Sequence, residues 1–231
     1  MAGNAETLKL KKQENTSEKV ENFMMRHRKP ILIVGICILV AALAVCLFIG
    51  ITDSIRKKAL SVIDGIEYEY TKDLSNIDDA EFTKRQDTAL EGLKPYLDKT
   101  GFAGVRANLL TADIYFAKKD YSNSLNYYLK AAHAGEKFYT APICYYNAGV
   151  CSEEVGNTAD AIAYYQSAAD FQNFTLASHA LFNAARVNET LGNYAEAVAL
   201  YQKLVDSYAS DSWTNLAQSR LVQLRIDGKA E

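Results

Sequence analysis

Apolar residues follow two different patterns along the chain. From Ile31 to Ile51 they are unbroken: ILIVGICILVAALAVCLFIGI runs for 21 residues without a charge. At about 1.5 Å rise per residue, a helix of this length is roughly 30 Å long, the thickness of a bilayer's hydrocarbon core. The run predicts a single transmembrane helix over residues 31–51. Beyond it, apolar residues recur at helical spacing. Ile55, Ala59, Val62, Ile63, Ile66 and Tyr70 follow the i, i+4, i+7, i+8, i+11 pattern of an amphipathic helix. A second helix is predicted from Asp78 to Gly101. Leu90, Leu93 and Leu97 line one side, Pro95 kinks or shortens it, and Gly101 ends it.

From Val105 onward one phrase is written three times. KDYSNSLNYYLKA begins at Lys119, GNTADAIAYYQSA at Gly156 and GNYAEAVALYQKL at Gly192. The offsets are 37 and 36 residues. They define units 105–138, 142–175 and 178–211, each read as two helices joined by a tight turn. The turns fall at Lys119-Asp120, Gly156-Asn157 and Gly192-Asn193, where Gly or Asn tolerates a left-handed backbone. One helix pair cannot bury its apolar face alone, whereas stacked copies cover one another. The last copy needs a cap. Ser212 to Ile226 supplies one, with Trp213, Leu216, Ala217, Leu221 and Leu224 expected inward and Gln218, Arg220 and Gln223 outward.

The predicted fold class is therefore all-α: a single N-terminal transmembrane helix, then an α-solenoid of helix hairpins with a C-terminal capping helix. The domain plan is a polar tail (1–30), the span (31–51), juxtamembrane helices forming a degenerate N-terminal repeat (52–104), three repeats (105–211), and a capping helix and tail (212–231). Residues 1–22 are charge-rich, lack a long apolar face and predict a disordered tail.

Composition sharpens this plan at few points. A net charge of −3 over 231 residues leaves no electrostatic footprint for nucleic acid. The apolar run exceeds that of a cleaved signal peptide, and it continues past Cys46, against lipidation there. Lys9, Lys11, Lys12, Lys19, Arg26, Arg28 and Lys29 precede the span, and Arg56, Lys57 and Lys58 follow it. Within fifteen residues of each end the balance is four to three, which favours a cytoplasmic tail and a C-terminal part across the membrane. Cys144 and Cys151 lie seven apart on one predicted helix. Their Cα atoms are thus about 10 Å apart, beyond disulfide reach, and packing is their expected role. No catalytic or metal-ligand spacing occurs, so no enzyme activity, cofactor, metal or small-molecule substrate is expected. His133 and His179 are expected to be surface or packing residues, and Glu153-Glu154 a solvated helix face.

The repeats resemble the tetratricopeptide repeat (TPR) family. The first unit carries Ala112, Tyr115, Tyr121, Tyr128 and Ala131 at motif positions; the second carries Tyr145, Ala148, Gly149, Ala161, Tyr165 and Ala168; the third carries Leu181, Ala184, Ala185, Tyr194, Ala197 and Tyr201. Ser124 stands where the family usually has Ala, Thr158 where it has an aromatic, and no proline closes a unit. The resemblance implies a protein-binding groove lined by the first helix of each pair. By that register Leu109, Tyr146 and Phe182 hold one groove position, Leu110, Asn147 and Asn183 the next, and Asp113, Val150 and Arg186 a third. Family members that clamp a C-terminal carboxylate use Lys and Asn there, and that set is missing. An apolar-aromatic groove with Asn147, Asn183 and Arg186 as polar contacts is expected, suited to an extended peptide or a partner helix. The same rings would also serve as packing between helices.

The whole layout resembles the ancillary SecYEG translocon subunit (YfgM-like) family through SEKVENFMMRHRKPILIVGICILV, a charged helix leading through basic residues into a Gly-containing span. That resemblance implies a single-pass protein of the bacterial inner membrane, with cytoplasmic N-terminus and periplasmic repeats. It would serve as a scaffold beside the Sec translocon and periplasmic chaperones. The other reading is an adaptor for another envelope process (cell wall, motility, outer-membrane assembly) or a eukaryotic import receptor.

Overall fold

The computed structural model describes residues 16–136 and 138–230. The polar tail before residue 16 lies outside the described residues. The chain divides into two compact units, one reaching to Ile55 and one running from Arg56.

The first unit holds α1 (Thr16–Arg26) and the N-terminal part of α2 (Arg28–Thr71). The tail expected to be disordered over residues 1–22 is thus helical from Thr16. The reason is local. Val20, Phe23 and Met24 sit at i, i+3 and i+4, Glu18 lies in the first turn and Arg26 in the last, each favourable to the helix dipole. The break at His27 follows from Pro30, whose ring crowds the carbonyl four residues back. The segment from Ile31 to Ile51 is helical and exposed along its length. It is the one described helix long and apolar enough to cross a membrane.

The second unit begins with the C-terminal part of α2. There Ile63 is buried, with Ala59, Leu60, Ile66 and Tyr70 beside it. Val62 and Ile55, expected on the same face, are exposed. A stripe built on Ile63 points Val62, one residue away, some 100° off that face. The helix α3 (Asp79–Leu93) is capped by the Asp78 carboxylate, which accepts from Glu81 N at 2.8 Å. It ends where Pro95 converts the chain to a one-turn 3₁₀ segment over Lys94–Tyr96. Gly101, expected to close this helix, instead opens the next, at φ 69°. Ala89 and Leu93 join Ile63 in a core completed by Ala103, Ala107, Leu110 and Ile114.

Three hairpins follow: α4 (Phe102–Ala117) with α5 (Tyr121–Ala134), α6 (Ala141–Glu154) with α7 (Thr158–Ala169), and α8 (Ala177–Thr190) with α9 (Tyr194–Ser207). Each helix packs on the next in sequence, and α10 (Ser212–Ile226) packs on α9 and α8. The three turns carry left-handed residues where the repeat register places them: Lys119 (φ 60°), Gly156 (φ 82°) and Gly192 (φ 80°). Small side chains let the helices close up. Ala112, Ala148, Ala161, Ala184, Ala185 and Ala197 have no exposed surface. At Ser124, the departure from Ala, the buried hydroxyl donates to Ala112 O at 2.9 Å, so the polar atom is satisfied. Cys144 and Cys151 are buried free thiols. Burial pushes them up to about 12 and about 11 respectively, so both stay protonated.

In α10 the inward stripe is Thr214, Ala217, Leu221 and Leu224, with Trp213 half-buried. Leu216, expected inward, is exposed. The 3-4-3 spacing from Thr214 turns it away, and Thr214 is accommodated because its hydroxyl donates to Tyr208 O at 2.5 Å.

Candidate functional site

The first helices of successive pairs present a row of rings. Tyr146 stands on α6, His179 and Phe182 on α8, and Trp213 on α10. Tyr146 and His179 have ring centroids 5.2 Å apart. His179 stacks on Trp213 at 3.8 Å and 14°. Phe182 meets Trp213 at 5.0 Å and the Tyr201 ring at 5.5 Å. All four are half-buried: one side touches the repeat core, the other meets solvent.

The structure brings some of the predicted groove residues together and separates others. Tyr146, Asn183 and Arg186 are brought together. Asn183 Nδ2 donates to Tyr146 Oη at 3.1 Å, and Arg186 Nε donates to Asn183 Oδ1 at 3.4 Å. Asn183 is buried, so its amide serves neighbours within the chain. Phe182 and Arg186 line a cleft of about 350 Å³ with Glu189, Thr190, Tyr201 and Arg220. Asn147 and Val150 are half-buried on α6. Leu109 lies in a separate cleft of about 320 Å³, against Phe102, Val105, Arg106, Tyr139 and Thr140. Asp113 is exposed and accepts a 2.6 Å hydrogen bond from Tyr128 Oη. A further cleft of about 640 Å³, which the sequence does not announce, lies between α2 and α3 around Ile66, Tyr70 and Ala89.

Arg186 has a second engagement. It donates through Nη2 to both oxygens of Glu153, at 2.6 and 2.8 Å, while Tyr165 Oη donates to Glu153 Oε1 at 2.6 Å. One repeat later the arrangement recurs: Tyr201 Oη donates to Glu189 Oε2 at 3.0 Å and Arg220 pairs with Glu189. Each Tyr–Glu–Arg set joins the two helices of one hairpin to the first helix of the next. Glu153 is therefore an interhelical acceptor, not the solvated residue its neighbour Glu154 is. The signal lay in the sequence as equal offsets, since Glu153 to Glu189 and Tyr165 to Tyr201 are both 36 residues. A register built on groove positions did not look for it.

Sequence reasoning also left His179 and Trp213 outside the groove. Burial, and then the nearby Arg186 charge, hold the His179 pKa below its ordinary value; Asp211 opposes them. Its ring lies within hydrogen-bond reach of Tyr146 Oη, 3.1 Å from Nδ1 and 3.2 Å from Nε2. The sign follows from linkage. The unfolded chain takes up the proton first as pH falls below about 6.5. The stability this group contributes is present above that pH and is lost as pH falls through the lower folded-state value. His179→Gln should thus melt with a flatter pH dependence than the parent between pH ~7 and ~5. Identical slopes in thermal melts would show that the ring titrates freely.

Comparison with known proteins agrees with the repeat register. A tetratricopeptide repeat family model matches residues 109–175 and 153–212. A TPR repeat-containing protein of Treponema pallidum (strain Nichols) is 27% identical over 130 residues, 56% of this chain and 54% of that protein. The chain thus spans about half the length of that curated relative. Two solved structures are similar to part of the chain. A Rap protein complexed with competence and sporulation factor has a TM-score of 0.48 and 21% identity over 72% of this chain and 46% of its own. The apo form of RapI has a TM-score of 0.47 and 18% identity, over 73% and 55%.

Proposed function

We propose, on the premise that residues 109–212 are tetratricopeptide repeats, that this protein is a non-catalytic protein–protein interaction scaffold held at a membrane by residues 31–51. The observation that carries the reading is the row Tyr146, His179, Phe182 and Trp213. Four half-exposed rings in line across three helices offer a partner large apolar area at little conformational cost. Asn147 and the open side of Arg186 give that partner polar contacts. An extended segment or a helix with spaced apolar residues suits such a surface.

The finer assignment follows from layout. The tail, span and repeats in that order favour a bacterial inner-membrane protein with its repeats in the periplasm. It would work beside the Sec translocon and periplasmic chaperones. An adaptor for another envelope assembly process is the second reading, supported by the same layout.

The test must separate binding from folding. Asn147 is half-buried on α6, beside Tyr146 in sequence. By the repeat register Asn147 shares the groove side of α6, so Asn147→Arg should place a bulky cation beside the ring row and reduce crosslinked partner capture from native membranes by about tenfold, or ~1.4 kcal/mol. Its melting should stay within about 0.5 kcal/mol of the parent, as for other substitutions at the solvent margin. Full capture by a variant that carries this charge would remove the groove from the function. The captured proteins themselves discriminate translocon from other envelope partners.

A further inference from the structure

The helix α1 has an apolar face that no described residue of its own unit covers. Val20, Phe23 and Met24 are each more than half exposed. At 100° per residue they lie with His27 on one side of the helix, and the Phe23 and His27 rings touch, with centroids 4.7 Å apart. Glu18, Lys19, Asn22 and Arg26, together with the exposed Met25, occupy the other side. Four cations, Lys19, Arg26, Arg28 and Lys29, stand against two anions, Glu18 and Glu21, between residues 18 and 29. Pro30 interrupts the helix ladder at the junction, which allows α1 and α2 to take different directions.

We infer that α1 lies on the membrane surface, its Val20–Phe23–Met24 face seated in anionic lipid at the mouth of the span. The inference rests on reading residues 31–51 as membrane-spanning. Three pieces of physics select lipid as the occupant. First, the face ends four residues before α2 begins, so an inserted span holds it near the headgroups, and little further affinity is needed. Second, three apolar side chains are too few to bind a bilayer from solution but enough to orient a tethered helix. Third, the cationic excess is complementary to an anionic leaflet. The helix then acts as a second membrane contact and fixes how the chain emerges from the bilayer on that side.

Tryptophan quenching tests this in the full chain. The parent, with Trp213 alone, gives the baseline. Phe23→Trp, Asn22→Trp and Leu39→Trp are each reconstituted into phosphatidylcholine vesicles, with or without phosphatidylglycerol, carrying brominated acyl chains. In anionic vesicles the added quenching at position 23 should exceed that at position 22 by about twofold or more, and it should fall in neutral vesicles. Position 39 should be quenched in both. Quenching at position 39 with equal values at 22 and 23 overturns the inference and leaves the span intact. It would then point to a protein or a second copy of the chain on that face. Equal quenching at position 23 in the two lipids overturns the anionic preference. An unquenched position 39 removes the span, and the inference with it. Met24→Trp, on the same face, repeats the measurement should Phe23→Trp fail to insert.

Discussion

Tyr165→Ala should lower the unfolding free energy by about 3–5 kcal/mol, the range for deleting a large buried ring. The ring lies between α6 and α7 with almost no exposed surface, and its hydroxyl is satisfied by Glu153. Tyr165→Phe keeps the ring and should cost about 1 kcal/mol, because Glu153 retains Arg186 when the hydroxyl leaves. The partner across the interface makes the claim sharper. A Cβ at Gly149 would stand 2.7 Å from two Tyr165 ring atoms. The ring is hemmed in and tethered at its hydroxyl, so it cannot swing aside. Gly149→Ala should therefore destabilise by about 1–3 kcal/mol, although Ala is the better helix former. In the Tyr165→Ala background the same change should become neutral or stabilising, since the obstacle has gone and the helix preference of about 1 kcal/mol remains. Urea unfolding of the four chains reads this directly. Additive effects of the two substitutions would show that the glycine is not there for the ring.

Replacing Tyr146 and Phe182 together by Ala should change two readouts at once. Both rings are half-buried, so each removal should cost about 2 kcal/mol, less than for a fully enclosed ring. Tyr146 also takes its hydroxyl away from His179 and Asn183, and Asn183 is buried with few alternative partners. Partner capture should fall more than tenfold, beyond ~1.4 kcal/mol, if rings at the centre of the row are anchors. Melting and crosslinked pull-down must be measured on the same preparation. A double variant that melts like the parent contradicts the packing described above. One that is destabilised yet captures every partner leaves these rings with a structural role only. Asn147→Arg, which keeps both rings, then locates any remaining binding.

These two experiments turn on what kind of information a repeat carries. The hairpins could be read from sequence because helical periodicity, turn residues and copy offsets are all local or recurrent. Ala112, Ala148 and Ala184 are close-packed where the register puts them, and Lys119, Gly156 and Gly192 turn left-handed where the phrases begin. The apolar run of residues 31–51 announces a helix by length alone. The candidate site was legible only in part. Register placed Tyr146, Phe182, Asn183 and Arg186 on the first helices, and the four lie on α6 and α8, which the Tyr146–Asn183 hydrogen bond links.

What register could not supply was the partner of each side chain. Whether Arg186 faces a ligand or Glu153 depends on the separation of two helices 33 residues apart in sequence, which no single repeat specifies. The same holds for Asn183, buried under Tyr146, and for His179, whose stack on Trp213 exists only once α10 has docked. Val62 and Leu216 were misplaced for a related reason: composition marks a residue as apolar, but one step along a helix turns it by 100°, and the neighbouring helix chooses the buried stripe. The sequence by itself determined that this chain is an apolar helix followed by stacked helical pairs, because backbone periodicity and turn chemistry are written residue by residue. Only the tertiary structure decided which rings face inward, which charges meet and which side chains remain for a partner, because those are set by distances between helices that fold from distant parts of the chain.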